Sequence, residues 1–350
     1  MKKIITSIFI LLCAFSSFAM HITGGEMYYE FIGMSGGNYQ YLVTLKLYRN
    51  HFAPPGAAPL DDQASIAVFS NDRNTLVASY EVTREKIVNL VLNTPSPCIT
   101  NPPSVWYEVG YYEVVVSVPA SALGYTVAYQ RCCRISGINN ISGSTNVGAS
   151  YTASIPGNAL VIDAPVNNSA HFVGADTVII CSGNPFTYSF AAFDDDNDSL
   201  AYSFCSAYNG GSAGRPAPDP PDAPPYPFIP YASTFNSSAP LGRGVSLNRN
   251  NGLITGIAPA EGIYCVTVCV TEYRNGIAIA TQRKDLQIKV ADCTLAAANL
   301  KPEYVSCDGF TLDFFNLSNS PLIHTYSWDF GVNSLTNDTA NIARPTFTYS

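Results

Sequence analysis

Apolar and polar residues alternate along most of this chain, which predicts β-strands whose two faces differ. Residues 39–48 read YQYLVTLKLY, and residues 264–270 read YCVTVCV. One face of the first segment receives Tyr39, Tyr41, Val43, Leu45 and Leu47. One face of the second segment receives Tyr264, Val266, Val268 and Val270. Residues 83–93, TREKIVNLVLN, fit a helix as well as a strand.

Turn signals separate these strand segments. Residues 71–74, NDRN, and residues 274–276, RNG, each lie between alternating segments and predict hairpins. Residues 33–37, GMSGG, match the G-x-S-x-G pattern of hydrolase nucleophiles. That motif requires a strand-to-helix turn, whereas strand patterns flank this segment on both sides. We therefore predict a glycine hairpin loop there and no nucleophile.

Segment boundaries divide the chain into four parts. Residues 1–20 are a predicted signal peptide, because two lysines precede an apolar stretch that ends in small residues. Residues 21–165 and 166–292 are predicted antiparallel β-sandwich domains of the Ig-like type, and residues 293–350 begin a third, incomplete domain. Residues 215–230 contain eight prolines, which exclude them from a sheet interior. A stiff loop between sheets is favoured there over a polyproline ligand for a partner.

Composition agrees with tandem all-β domains. Charged residues make up only 13%, and the 22 tyrosines, 25 glycines and 24 prolines suit strands joined by many turns. The formal net charge is −8 and no basic cluster is present, so we predict no nucleic-acid partner. No later apolar stretch is long and unbroken enough to cross a membrane. The mature chain is therefore predicted to be exported, extracellular or on the outer cell surface, without a transmembrane span.

Nine of the ten cysteines follow the predicted signal peptide, and an exported chain uses such residues as disulfides. Cys265 and Cys269 lie four residues apart on one strand face, about 13 Å, which is too far for a disulfide. Each is expected to pair with a neighbouring strand or loop. Cys132 and Cys133 point to opposite faces of an extended chain and are expected to take different partners. The disulfide candidates are Cys98, Cys132, Cys133, Cys181, Cys205, Cys265, Cys269, Cys293 and Cys307.

The stretch FDDDNDSLAYSFC places five consecutive Asp and Asn side chains after an apolar run. Asp194, Asp196 and Asp198 alternate, so a loosely turned chain would aim three carboxylates at one point, and calcium prefers such ligands. The EF-hand pattern fails, because its sixth position is Ser199 and its twelfth is Cys205. Asp and Asn also form sharp turns by binding their own backbone, so a calcium site and a plain turn both stay open. Cys205 is expected to staple this loop, with Cys181 as a candidate partner.

Three segments resemble known families. HITGGEMYYEFIG, YQYLVTLKLYRN and GYTVAYQRCCRISGINNI resemble the N-terminal region of large gliding-motility-associated surface proteins of Gram-negative gliding bacteria, with residues 131–134, RCCR, as the most specific element. The acidic stretch and NGLITGIAPAEGIYCVTVCVTEYRNG are similar to the same proteins and to cadherin-like and Ig-like modules. YSWDFG with PTFTYS resembles the first half of a polycystic-kidney-disease (PKD) domain, although residues 331–333 read GVN where that domain has Gly-Asp-Gly.

The resemblance implies an exported, multi-domain β protein of a kind that often ends in a sorting domain for type IX secretion and cell-surface attachment. It implies that residues 293–350 are the start of a PKD-like domain. Relatives often carry a cysteine where this chain has Asn50-His51, which puts one of the family's bridges in doubt.

We therefore expect a non-enzymatic cell-surface or secreted protein with an adhesive or display role linked to gliding motility. Its expected partners are a surface glycan or protein and the type IX secretion machinery, and its one candidate cofactor is calcium. The four histidines are scattered without a triad-like arrangement, so no catalytic residue is assigned. The alternative is the non-catalytic, substrate-binding accessory region of a secreted polysaccharidase or protease, because PKD-like modules accompany such enzymes.

Overall fold

A computed structural model describes residues 22–51, 58–91, 99–100, 105–177, 179–295, 298–301, 303–307, 309–318, 320–333 and 335–349. The predicted signal peptide and Cys98 lie outside these ranges. A search of the described residues finds no helix long and apolar enough to cross a membrane.

Strands form nearly all of the regular structure, which confirms the predicted all-β class. The first predicted domain contains β1 (Ile22–Ser35), β2 (Asn38–Asn50), β3 (Gln63–Ser70), β4 (Leu76–Val91), β5 (Ile99–Thr100), β6 (Trp106–Val118), β7 (Tyr125–Arg131) and β8 (Ala149–Ile155). The second contains β9 (His171–Phe172), β10 (Ile179–Cys181), β11 (Pro185–Ser189), β12 (Ala192–Phe193), β13 (Ser199–Phe204), β14 (Val245–Leu247), β15 (Leu253–Ile257), β16 (Gly262–Arg274) and β17 (Ile277–Ala291). The last segment contains β18 (Thr294–Leu295), β19 (Thr311–Asp313), β20 (Trp328–Asp329), β21 (Thr339–Ala340) and β22 (Thr346–Thr348). Within the described ranges the only helical element is a 3₁₀ turn, Ser144–Asn146.

One large sheet runs from the first predicted domain into the second. Its order is β13-β16-β17-β1-β2-β6-β4-β3-β7-β8, with antiparallel neighbours, and β10 adds to β17 in parallel. β1 pairs with β2 along most of its length, but with β17 only at Gly24, Gly25 and Glu26. A Cβ on Gly24 would lie 2.3 Å from the carbonyl oxygen of Asp285, so this approach requires glycine. The two predicted domains therefore share one sheet.

Two apolar cores lie against this sheet, and the alternating patterns enter them as predicted. Tyr41, Val43, Leu45 and Leu47 of β2 are buried in the first core, with Tyr39 partly buried against it. The second core receives the predicted face of β16, namely Tyr264, Val266, Val268 and Val270. It also receives Tyr48 from β2 and Val109 from β6. The first predicted domain therefore contributes side chains to the core of the second.

The predicted hairpins form at the predicted turns. β1 and β2 are joined by Gly36 and Gly37, whose φ values are 60° and 83°, so residues 33–37 do belong to a glycine hairpin. β16 and β17 are joined by Asn275 and Gly276, with φ values of 54° and 79°, as a two-residue hairpin turn requires. A further turn joins β3 to β4 at the predicted position. The segment that fitted helix or strand begins within β4, which is a strand.

The proline-rich segment, residues 215–230, packs against the outer face of β3 and β7 in the first predicted domain. Tyr226 is buried in a small cluster with Ala67, Phe69 and Ala128. The N–H of Asp222 donates to Gln130 Oε1 at 2.9 Å, and the Pro216 carbonyl accepts from the Cys132 N–H at 2.7 Å. A packed loop agrees with the stiff connection that was predicted.

The last segment, from residue 298 onward, forms two small antiparallel sheets, β19–β22 and β20–β21. An aromatic cluster lies beside them, in which the Phe330 ring centroid is 5.1 Å from Phe314 and 4.4 Å from Phe347. Aromatic pairs at such distances stabilise small β structures. The PKD-like assignment of this segment stays a prediction.

Three disulfides lie in the described chain: Cys132–Cys133, Cys181–Cys293 and Cys205–Cys269. The expectation that Cys269 pairs with a neighbouring element is confirmed, because Cys205 directly follows β13, which is paired with β16. The expected Cys181–Cys205 pair is wrong. β10 runs beside the end of β17, and this brings Cys181 to Cys293, with 5.5 Å between the Cα atoms.

Two further cysteine predictions are wrong. Cys132 and Cys133 pair with each other, since β7 ends at Arg131 and the alternation of an extended strand no longer applies. Cys265 has no disulfide partner among the described residues, and its buried thiol donates to Asp285 Oδ1 at 3.2 Å. Burial raises the pKa of this thiol far above its ordinary value.

Differential alkylation of the full chain tests this pairing. Cys307 is exposed and should react in the native protein, whereas buried Cys265 should react only after denaturation. The six paired cysteines should react only after reduction. Peptide mass spectrometry identifies the labelled position at each step. Labelling of Cys205 or Cys269 before reduction would contradict the pairing.

Candidate functional site

The acidic loop, residues 194–198, is a sharp turn between β12 and β13. Asp194 Oδ1 accepts hydrogen bonds from the N–H groups of Asp196 at 3.0 Å and Asp198 at 2.9 Å. Asn197 has a φ of 63°, in the left-handed region that Asn tolerates at turns. One carboxylate thus shapes the loop, as the turn interpretation predicted. Asp196 and Asp198 instead bind partners outside the loop.

Arg274, the last residue of β16, binds two carboxylates of the acidic loop. Its Nε donates to Asp198 Oδ1 at 3.0 Å and its Nη2 to Asp198 Oδ2 at 2.7 Å, in a two-pronged arrangement typical of strong Arg–carboxylate pairs. Nη2 also lies 3.4 Å from Asp196 Oδ2. Burial opposes the positive charge, but the hydrogen bonds to Asp198 outweigh it, and the pKa of Arg274 is raised.

The same guanidinium holds the segment that connects the two predicted domains. Nη1 donates to the carbonyl oxygens of Asp163 and Val166, each at 3.2 Å, and Nη2 donates to Asn167 Oδ1 at 2.7 Å. Arg274 is therefore surrounded by oxygen atoms from the connecting segment and from the acidic loop. Its positively charged guanidinium lies at the centre of this group of oxygen atoms.

Asp196 is engaged on its other side by Asn168. The Asn168 N–H donates to Asp196 Oδ2 at 2.6 Å, and its side-chain amide donates to Oδ1 at 2.9 Å. Asn168 Oδ1 in turn accepts from the N–H of Phe31 in β1 at 2.9 Å. The acidic loop is thus linked through one asparagine to the first predicted domain.

Glu272 lies two residues before Arg274 and is fully buried. It accepts hydrogen bonds from Asn167 Nδ2 at 2.8 Å, from the Ala170 N–H at 3.1 Å and from Gln282 Nε2 at 3.2 Å. Burial is the largest influence on this carboxyl, and it raises the pKa to about 7 despite the three donors. A proton or a nearby cation would relieve its charge.

One carboxylate oxygen from each of Asp194, Asp198 and Glu272 lies within 4.8 Å of the other two. Asp194 Oδ2 is buried and has no hydrogen-bond partner in the described chain, and burial raises the pKa of this group as well. Hard carboxylate oxygens at this spacing fit a divalent cation such as calcium. Asp194 and Asp198 therefore belong to this set, although Asp198 is also paired with Arg274. Asp196, the third predicted ligand, lies outside the set and binds Asn168 and Arg274.

Sequence reasoning did not identify Glu272 or Arg274. One signal was present for Glu272, because it continues the alternating face of β16 that enters the second core. A carboxylate at a core position needs partners, since an isolated buried charge is too costly. Nothing in the local sequence indicates that Arg274 meets the acidic loop, which precedes it by 76 residues.

The raised pKa of Glu272 predicts a pH dependence of stability. In the unfolded chain the carboxyl loses its proton near pH 4.5, whereas in the folded chain it keeps the proton up to about pH 7. The folded state binds more protons between these values, so the free energy of unfolding should fall as the pH rises through this window. The expected fall is about 1–3 kcal/mol, measured by urea unfolding in buffer containing a chelator.

The variant Glu272→Gln removes this titration, so its stability should vary less between pH 4.5 and 7. Glu261→Gln is the matched control, because Glu261 is exposed at the start of the same hairpin. Equal pH profiles for the wild type and Glu272→Gln would contradict the assignment to this residue.

Known proteins provide no functional assignment for this chain, so a functional conclusion rests on the residues described above. No family model, no curated protein and no solved structure matches the chain. The resemblance to gliding-motility surface proteins therefore stays a prediction.

Proposed function

We propose that this chain is a non-enzymatic protein exported to the cell surface or the medium, where it serves in adhesion or in display of a distal module. The observation that carries the proposal is the covalent stapling of the continuous sheet. Cys181–Cys293 ties β10 to the chain after β17, and Cys205–Cys269 ties β13 to β16. Such disulfides persist in oxidising, extracytoplasmic compartments.

The proposed role is mechanical. Cross-linked strands resist separation, and the ion pairs around Arg274 hold the connecting segment against the acidic loop. Asp194 shapes the turn, and Asp196 and Asp198 pair with Arg274, which supports a structural use of these carboxylates over acid–base chemistry. A proposed link to gliding motility and to type IX secretion rests on the sequence resemblance alone.

Calcium is proposed as a further staple of this junction. Asp194, Asp198 and Glu272 would supply its carboxylate ligands, and the buried, unpartnered Asp194 Oδ2 supports this assignment. A bound divalent cation would neutralise charge that burial makes costly at Glu272. It would thereby stiffen the link between the acidic loop and β16.

Thermal unfolding in calcium and in chelator tests this staple. At calcium tenfold above the dissociation constant, the midpoint of the wild type should rise by about 2–3 °C, because the ion binds only the folded state. Asp194→Asn should abolish the rise. Asp195→Asn is the matched control, since Asp195 is exposed and lies outside the carboxylate set. An unchanged wild-type midpoint at millimolar calcium would overturn the proposal.

Surface exposure and adhesion are tested on cells of the source bacterium. Antibodies against the chain should label intact cells or recover the protein from the medium, and permeabilisation should add little signal. Deletion of the gene should reduce attachment of cells to a surface, and the wild-type gene should restore it. Labelling only after permeabilisation, or unchanged attachment of the deletion strain, would contradict the respective part of the proposal.

A further inference from the structure

A groove lies where the proline-rich segment meets the sheet, away from the acidic loop. Its volume is about 350 Å³, within the roughly 300–1,000 Å³ range of small-molecule sites. Strands β7, β8 and β17 form its floor, and residues 208–228 form its wall. The described side chains that line it include no carboxylate. In a chain with a net charge of −8, such a groove is chemically distinct from its surroundings.

The wall of the groove presents an aromatic surface. Phe228 and Tyr208 stack with their ring planes 6° apart and their centroids at 5.7 Å. Phe228 is 61% exposed, whereas Tyr226 of the same proline-rich segment is buried. One face of Phe228 packs on Tyr208, so its exposed surface is free to receive a flat, partly apolar ring.

The floor of the groove is lined with hydroxyl groups from three strands. Thr152 and Ser154 belong to β8, Thr126 to β7 and Thr281 to β17. The Thr126 hydroxyl donates to Asn71 and the Thr281 hydroxyl bonds to Thr271 at 3.0 Å. Hydroxyls can both donate and accept, so this floor suits a ligand that carries several hydroxyl groups.

Arg283 supplies the only positive charge among the described side chains that line the groove. Its guanidinium carbon lies 3.8 Å from the Tyr208 ring centroid, and Nη1 donates to the Ser206 carbonyl at 2.8 Å. No described carboxylate forms an ion pair with it. The charge of Asp285 influences Arg283 electrostatically, but this carboxylate binds Arg134 at 2.5 Å. Burial lowers the pKa of Arg283, yet an arginine stays charged at neutral pH. A partly buried cation without a carboxylate partner is a ready site for an anion.

We propose that this groove binds an anionic saccharide, a hexuronate unit of a polysaccharide. The sugar ring stacks on the exposed surface of Phe228, its hydroxyls bond to the threonine and serine hydroxyls of the floor, and its carboxylate pairs with Arg283. The assignment rests on the proposed adhesive function, for which it names the ligand class. The groove is built by packed strands and by a proline-rich wall, so little ordering is required on binding.

Isothermal titration of the full chain with trigalacturonate, and with maltotriose as the neutral counterpart, tests the assignment. Trigalacturonate should bind, more weakly as salt increases, and maltotriose should bind at least tenfold more weakly. Arg283→Gln should weaken trigalacturonate binding at least tenfold, and Arg283→Lys should lie between Gln and the wild type because it keeps the charge without the fork. Phe228→Ala should weaken binding severalfold. Because Phe228 is exposed, this substitution should leave the fold intact, so weaker binding would report the lost ring.

Arg243→Gln and Phe310→Ala are the matched controls, because both residues are exposed and lie outside the groove. Both should bind as the wild type does, with circular dichroism showing that every variant is folded. The proposal is overturned if trigalacturonate does not bind, if maltotriose binds equally well, or if Arg283→Gln and Phe228→Ala bind like the wild type. Binding by purified protein is independent of cell-surface labelling, so failure of the groove and failure of the proposed export are told apart.

Discussion

The pairing of β1 with β17 is the constraint on which the rest of the structure depends. It joins Gly24 to Leu286, so it closes a far longer loop than any hairpin of the sheet and costs correspondingly more chain entropy. Four charged groups lie beside it in mutual pairs: Glu26 and Lys284, which are buried, and Lys46 and Asp176, which are partly buried. A slip of β1 by one residue would turn Glu26 to the opposite face, away from Lys46 and Lys284. Buried charges tolerate no such loss, so one register is strongly preferred.

The acidic loop serves the same junction from its other end. Arg274 holds the connecting segment through Asn167 and two carbonyls, and Asn168 carries the contact on to β1 through the Phe31 N–H. The acidic residues thus act at the place where the two predicted domains meet. If the proposed mechanical role is correct, rigidity at this junction would resist separation of the strands, and a cation bound at Asp194 and Glu272 would increase that rigidity.

Local patterns predicted the features that depend on local chemistry. The buried face of β2 follows from alternation, and the Asn275-Gly276 hairpin follows from the left-handed conformation that those two residues accept. Disulfide partners depend instead on strand order, which spacing does not determine. Cys181 meets Cys293 because β10 joins β17 in parallel, a pairing that no local signal announces. Of the candidate cation site, sequence identified Asp194 and Asp198 but not Glu272, which comes from a distant strand.

The arginines discussed above differ in whether their charge is paired with a carboxylate, and this difference bears on their roles. Arg134 pairs with Asp285 and Arg274 pairs with Asp198, so these charges form ion pairs within the fold and hold its elements together. Arg283 is packed just as closely, against Tyr208, but no described carboxylate neutralises it. In a chain with 26 acidic residues and 18 basic ones, a partly buried cation that forms no direct ion pair with a described carboxylate runs against the overall balance. The cost of keeping it there is offset when an anionic ligand binds, and this favours recognition over stability as its role.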